Sequence, residues 1–181
     1  MREHAEGLAK GELEHVSRLR SRRRAAYHAE ARAAKRPVAV NDVDQLWAVA
    51  LGLERASGAL DQRVAEALEA VGDSTSATVL HGIARDALGM AATLASRIDG
   101  RGSQGSPAAV AASASEVLVQ GNLTVLGALR LSLRNAEDVL QTYLTIAERA
   151  RDEAVLREAQ RLSDLATARL ALISARLHAP A

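Results

Sequence analysis

Between residues 41 and 178 the apolar positions recur at three- and four-residue intervals in four stretches of helix length. Two precede and two follow a Gly/Ser-rich break at 99–106. This period predicts amphipathic helices, and their number predicts an all-α four-helix bundle over 41–178 with a flexible loop at its middle. A further helix is expected over about 6–35, within a basic N-terminal segment 1–37. Its apolar residues Leu8, Val16, Leu19, Tyr27, Ala31 and Ala34 form a narrow face, which suits lying on the bundle or on a partner. Arg36-Pro37 ends it, because the residue before proline is pushed out of the α region.

The bundle helices carry their own punctuation. Asn41 reads as the N-cap of the first, with Asp44 in its first turn and Leu46, Val49, Leu53, Leu60, Val64 and Leu68 on its stripe. Gly72 closes it, and Asp73-Ser74 makes a tight turn that caps the second. That helix carries Val79, Ile83, Leu88, Ala91 and Leu94 and ends near Asp99. A link this short makes the two helices antiparallel neighbours. Ser106-Pro107 is a helix start signal. The last two helices, about 122–149 and 152–178, pair across 150–152. Their stripes are Leu129, Leu133, Ala136, Leu140, Tyr143 and Ala147, then Val155, Ala159, Leu162, Leu165 and Leu172.

Segment 107–120 decides the topology. A helix over 42–71 is about 45 Å long, whereas one continuous from Pro107 to Arg149 would reach about 64 Å. Residues 99–106 alone span only about 27 Å, enough for an up-down-up-down bundle but not for its full length. A break at Gly121-Asn122 instead leaves a loop plus a short helix, a link long enough to make the second and third helices parallel. Glycine inside a helix costs about 1 kcal/mol and asparagine favours caps, so the long crossover is the expectation and up-down-up-down the alternative.

Composition sharpens the class. Apolar residues are 48% of the chain, mostly Ala, Leu and Val, while aromatics are only 2%. Strong helix formers dominate and strand formers are scarce. The absence of Cys excludes disulfides, thiolate nucleophiles and Cys-ligated metal sites. No export signal or membrane span is read from the sequence, so a cytoplasmic location is expected. The net charge of +1 conceals an asymmetry: residues 1–36 hold ten Lys/Arg against five Asp/Glu, and the remainder is acidic.

The stretch 135–143, Asn-Ala-Glu-Asp-Val-Leu-Gln-Thr-Tyr, followed by Ile146, Ala147 and Glu148, resembles the third helix of rubrerythrin-like and bacterioferritin-like proteins. Leu51-Gly52-Leu53-Glu54 through Leu60 is similar to it at an offset of 83. Two helix pairs joined by a long crossover are also how the ferritin-like superfamily is built. The resemblance covers about 42–178. It implies a di-iron centre of inward carboxylates with Glu-x-x-His, the ligand Glu lying seven residues before the Tyr. That place is Ala136 here, and its counterpart is Leu53. Glu54 and Glu137 stand one residue off, which predicts rotation of about 100° away from the core. Asp86 with Gly89 and Asp164 with Thr167 supply no His in the partner helices. The departure from the family's ligand pattern makes a metal-free bundle with a greasy interior the expectation.

The remaining candidates lie at the surface or the boundary. Glu12-Leu13-Glu14-His15 is a Glu-x-x-His outside the bundle, so Glu12 and His15 could hold a metal only across an oligomer interface. His81 is a core or boundary histidine, and Met90, nine residues on, falls on the opposite side. Gly100-Arg-Gly-Ser-Gln-Gly105 reads as a linker, since no strand precedes it and no Gly-Lys-Ser/Thr follows. Trp47 is expected at the bundle end or over a contact with the basic helix, and Gly82 with Gly89 permit a close helix approach within the chain or across a dimer. Arg18, Arg20, Arg22, Arg23 and Arg24, with Tyr27 beside them, form the densest charge feature. They suit self-association or docking to a larger protein partner; gripping nucleic-acid phosphates is the alternative. The sequence therefore predicts a non-enzymatic scaffold without cofactor. The competing expectations are a divergent ferritin-like protein that binds iron and a nucleic-acid-binding protein.

Overall fold

A computed structural model of the chain describes residues 39–100 and 124–179. The expected N-terminal helix, the Ser106-Pro107 start signal and the short helix 107–120 lie outside them. Four helices are described: α1 Val43–Ala70, α2 Ser74–Gly100, α3 Val125–Arg149 and α4 Glu153–His178.

Side-chain chemistry sets each start. Asp42, one residue past the expected Asn41, caps α1 by accepting from the Gln45 amide at 2.8 Å. Gln45 Oε1 reaches back to accept from the Asn41 amide at 2.9 Å, so the two ends of the first turn serve one another. Thr124 caps α3 through the Gly127 amide, and Asp152 caps α4 through the Val155 amide.

The α1–α2 turn is equally specific. Gly72 sits at φ 88°, the left-handed region that favours glycine. The Gly72 amide donates to Glu69 O at 3.0 Å and the Asp73 amide to Leu68 O at 2.9 Å, the paired bonds of a Schellman ending. Asp73 then caps α2, accepting from the Ser76 amide and from Ser76 Oγ.

Long-range bonds fix the topology. Trp47, Arg97 and Glu158 meet at one end, which brings together the starts of α1 and α4 and the end of α2. Arg176 meets Asp73 and Ser76 at the other end. On α3, Asn135 reaches Ser57 and the later Tyr143 reaches the earlier Glu54, so α3 runs opposite to α1. Helices α2 and α3 are therefore parallel. Residues 101–123 link the Trp47 end to the Leu68 end, the long crossover expected from the sequence. The fold is a bundle of two antiparallel hairpins, α1–α2 and α3–α4.

The core is built from Leu and Ala, with Tyr143 as its largest fully buried side chain. Alanines such as Ala50, Ala84, Ala136 and Ala159 let the helices approach closely. The glycine that matters for packing is Gly58. A Cβ there would stand 2.8 Å from Leu88 Cγ and 3.2 Å from Ala84 O. Among the described residues the close approach expected at Gly82 and Gly89 is not found. Nothing lies within 4 Å of a Cβ at Gly89, and only Arg85 Nη2, at 3.9 Å, comes near one at Gly82.

The α4 stripe also needs correction. Leu165 is 42% and Leu172 55% exposed, whereas Ala166 and Ile173 are buried. The core positions run Val155, Ala159, Leu162, Ala166, Arg169, Ile173 and Arg176, alternating steps of four and three. Leucine alone marked the wrong side of this helix. Leu88, expected on the α2 stripe, is likewise exposed and packs along Gly58.

Candidate functional site

The interior is not wholly apolar. Trp47, Glu54, Asp61 and Leu68 recur every seven residues on α1 and are all buried. This second stripe exists because α1 packs against α2, α3 and α4 and so buries nearly half of its circumference. The expectation that Glu54 turns away from the core is overturned, for the same reason. Glu137, on the less enclosed α3, is exposed as expected.

Glu54 is the hub. Tyr143 Oη donates to its Oε1 at 2.9 Å, and Arg169 Nη2 donates to its Oε2 at 2.8 Å. Both groups of the ion pair are withdrawn from water, the Arg169 side chain being 10% exposed. One turn on, Ser57 Oγ accepts from Asn135 Nδ2 at 2.8 Å. Burial, reinforced by the Glu54 charge, pushes the Tyr143 hydroxyl far above its ordinary value, so it stays protonated and donates.

Asp61 completes the cluster differently. It is 1% exposed, and burial pushes its carboxyl up to about 6. Ser132 and the Arg169 charge oppose the rise, and Glu54 adds to it. Ser132 lies close enough to act on Asp61, yet neither Ser132 Oγ nor Asp61 Oδ1 completes a hydrogen bond.

Two polar clusters close the ends of the bundle. Trp47 Nε1 donates to Glu158 Oε1 at 3.1 Å, and the Arg97 guanidinium lies 5.4 Å from the indole centroid. Arg161 grips the same carboxylate with two donors, which, with the indole N–H and Arg97, holds Glu158 below its usual range. At the other end Asp73 is held low, first by Ser76 and then by Arg176.

Of the sequence-predicted residues, Glu12, His15, Arg18, Arg20, Arg22, Arg23, Arg24 and Tyr27 lie outside the described residues. Leu53 and Ala136 are buried and carry no donor, while Asp86, Gly89, Asp164 and Thr167 are exposed. His81 is a boundary residue between Gln62 and Glu69, at 3.2 and 3.1 Å. Among the described residues no three His, Asp or Glu side chains gather as metal ligands would. Both Glu54 oxygens are already engaged by hydrogen-bond donors. Among the same residues, no helix is long and apolar enough to cross a membrane.

The sequence pattern places Glu54 outside the core and does not single out Asp61 or Arg169. Their signal was the seven-residue recurrence on α1 and the place of Arg169 in the four-three rhythm of α4. Together they define an all-α bundle with a buried polar cluster in its interior. Comparison with known proteins adds no family to this description: no family model, curated protein or solved structure matches the chain.

Proposed function

We propose that this protein is a non-enzymatic helical scaffold that self-associates or docks to a larger protein partner through Arg18, Arg20, Arg22, Arg23, Arg24 and Tyr27. The observation that carries the non-catalytic half is the engagement of Glu54. Its two oxygens are taken by Tyr143 and Arg169, so the most buried ion pair among the described residues is spent on joining helices. The docking half is supported by charge. Residues 1–36 hold ten Lys/Arg against five Asp/Glu, while the remainder of the chain is net acidic, so an arginine-rich segment and the rest of another copy carry opposite net charge.

The bundle is, on this reading, a ferritin-like descendant without its metal. The crossover and the order of helix pairing support the kinship. Leu53 and Ala136 stand buried where the resemblance calls for carboxylate ligands.

Native mass measurement of the full chain tests the proposal. The wild type is expected to assemble at about 50 mM salt and to dissociate as salt screens the contact. A variant with all five arginines changed to Gln is expected to stay monomeric. Equal masses for the two proteins would refute self-association. Salt-sensitive retention of the wild type on DNA, lost in the variant, would favour nucleic-acid binding instead. Stoichiometric iron or manganese in the purified protein would sink the metal-free reading.

A further inference from the structure

Two buried carboxylates on α1 share one buried cation. Glu54 and Asp61 lie seven residues apart on one helix face, both withdrawn from solvent. Arg169 of α4 serves Glu54 at 2.8 Å. Among the described residues no equivalent donor serves Asp61: its Oδ1 and Ser132 Oγ are buried and without hydrogen bonds.

Among the described residues the surroundings offer no second counter-charge. On α1 the nearest acid, Glu54, repels; on α4 Arg169 attracts, but it is committed elsewhere. Helix α3 presents Ser132, Asn135 and Tyr143, all neutral. Helix α2 meets α1 here at Gly58 and buries only Leu80, Ile83, Ala84 and Ala87 in this stretch. His81 of α2 lies beyond, on Gln62 and Glu69. An ionised Asp61 thus leaves one uncompensated negative charge where the hairpins join.

We propose that a proton is the missing counter-charge: Asp61 takes one up on mild acidification, and the two hairpins then hold together more tightly. The upward push of burial on this carboxyl agrees in direction. A folded-state value above the unfolded one stabilises the fold at low pH. The contribution is complete below the ordinary value of 3.8 and is lost as pH rises through about 6.

Carboxyl NMR on the full chain with labelled aspartate reads the proton directly, the Asp61 signal being the one missing in Asp61→Asn. A midpoint near 6 is expected; an ordinary carboxylate midpoint would overturn the proposal. Urea unfolding gives the second reading. The ratio of wild-type to Asp61→Asn unfolding constants should fall about tenfold from pH 8 to pH 5. A pH-independent ratio would count against it. In Glu54→Gln, Arg169 is released to serve Asp61, and the Asp61 midpoint should drop. An unmoved midpoint would refute the shared cation. His81→Gln, compared in the same way, should leave the Asp61 titration unchanged; abolition of the pH effect there would assign it to the histidine.

Discussion

Glu54 of α1 and Arg169 of α4 meet at 2.8 Å inside the bundle, and this contact joins the first hairpin to the second. A buried pair is costly to break and cheap to replace, because removing one partner strands the other charge away from water. Arg169→Leu is therefore expected to cost roughly 3–5 kcal/mol, and the double change Glu54→Leu with Arg169→Leu to cost far less or even to stabilise. Urea denaturation of the three proteins checks this. A double variant as weak as the single one would show that the pair contributes net stability.

Tyr143 supplies the other half of the Glu54 environment. Tyr143→Phe keeps the ring and removes the donor, so a loss of about 1–3 kcal/mol is expected. The loss should shrink when Glu54 is already Leu. A double-mutant cycle reads this coupling, and independent effects would contradict the shared hydrogen bond.

Gly58 gives a prediction of opposite signs. Alanine favours a helix by about 1 kcal/mol over glycine, but its methyl would strike Leu88 and the Ala84 carbonyl. Overpacking costs about 1–3 kcal/mol, so Gly58→Ala should destabilise. Adding Leu88→Ala removes the nearer obstacle and should recover part of that loss. Thermal melts of both variants decide; a stabilised single variant would mean that α2 yields easily.

Asp73 contributes, with Glu158, to the acid limb of stability. Its carboxyl is held low by Ser76 and Arg176, so its contribution is present above the ordinary value of 3.8 and lost as pH falls through the lower folded value. Asp73→Asn should flatten the fall in stability between pH 5 and pH 2.5. An unchanged acid limb would show that the cap acts through its shape alone. This dependence is opposite in sign to that of Asp61.

Much of the fold could be read in the chain because local chemistry decided it. The ending of α1 at Gly72, the cap at Asp73 and the turn at 150–152 depend on residues within one or two turns of each other. Length arithmetic admits both topologies, and the break expected at Gly121-Asn122 favours the crossover. The ionic interior was less legible, since its logic is tertiary. Glu54 becomes an inward residue only because three helices enclose α1, and a one-residue offset from Leu53 says nothing of that. The α4 stripe failed for a related reason: Ala166 and Leu165 are both apolar, and only the neighbouring helices choose between them.

The parallel course of α2 and α3 has a consequence for engineering. Helix α2 is about 40 Å long, so a connector needs at least about twelve extended residues to run its length. Trimming residues 101–123 below that number would leave each molecule unable to dock its second hairpin on its own first. Two shortened chains can still satisfy every interface by trading hairpins, so the expected product is an exchanged dimer rather than an unfolded monomer.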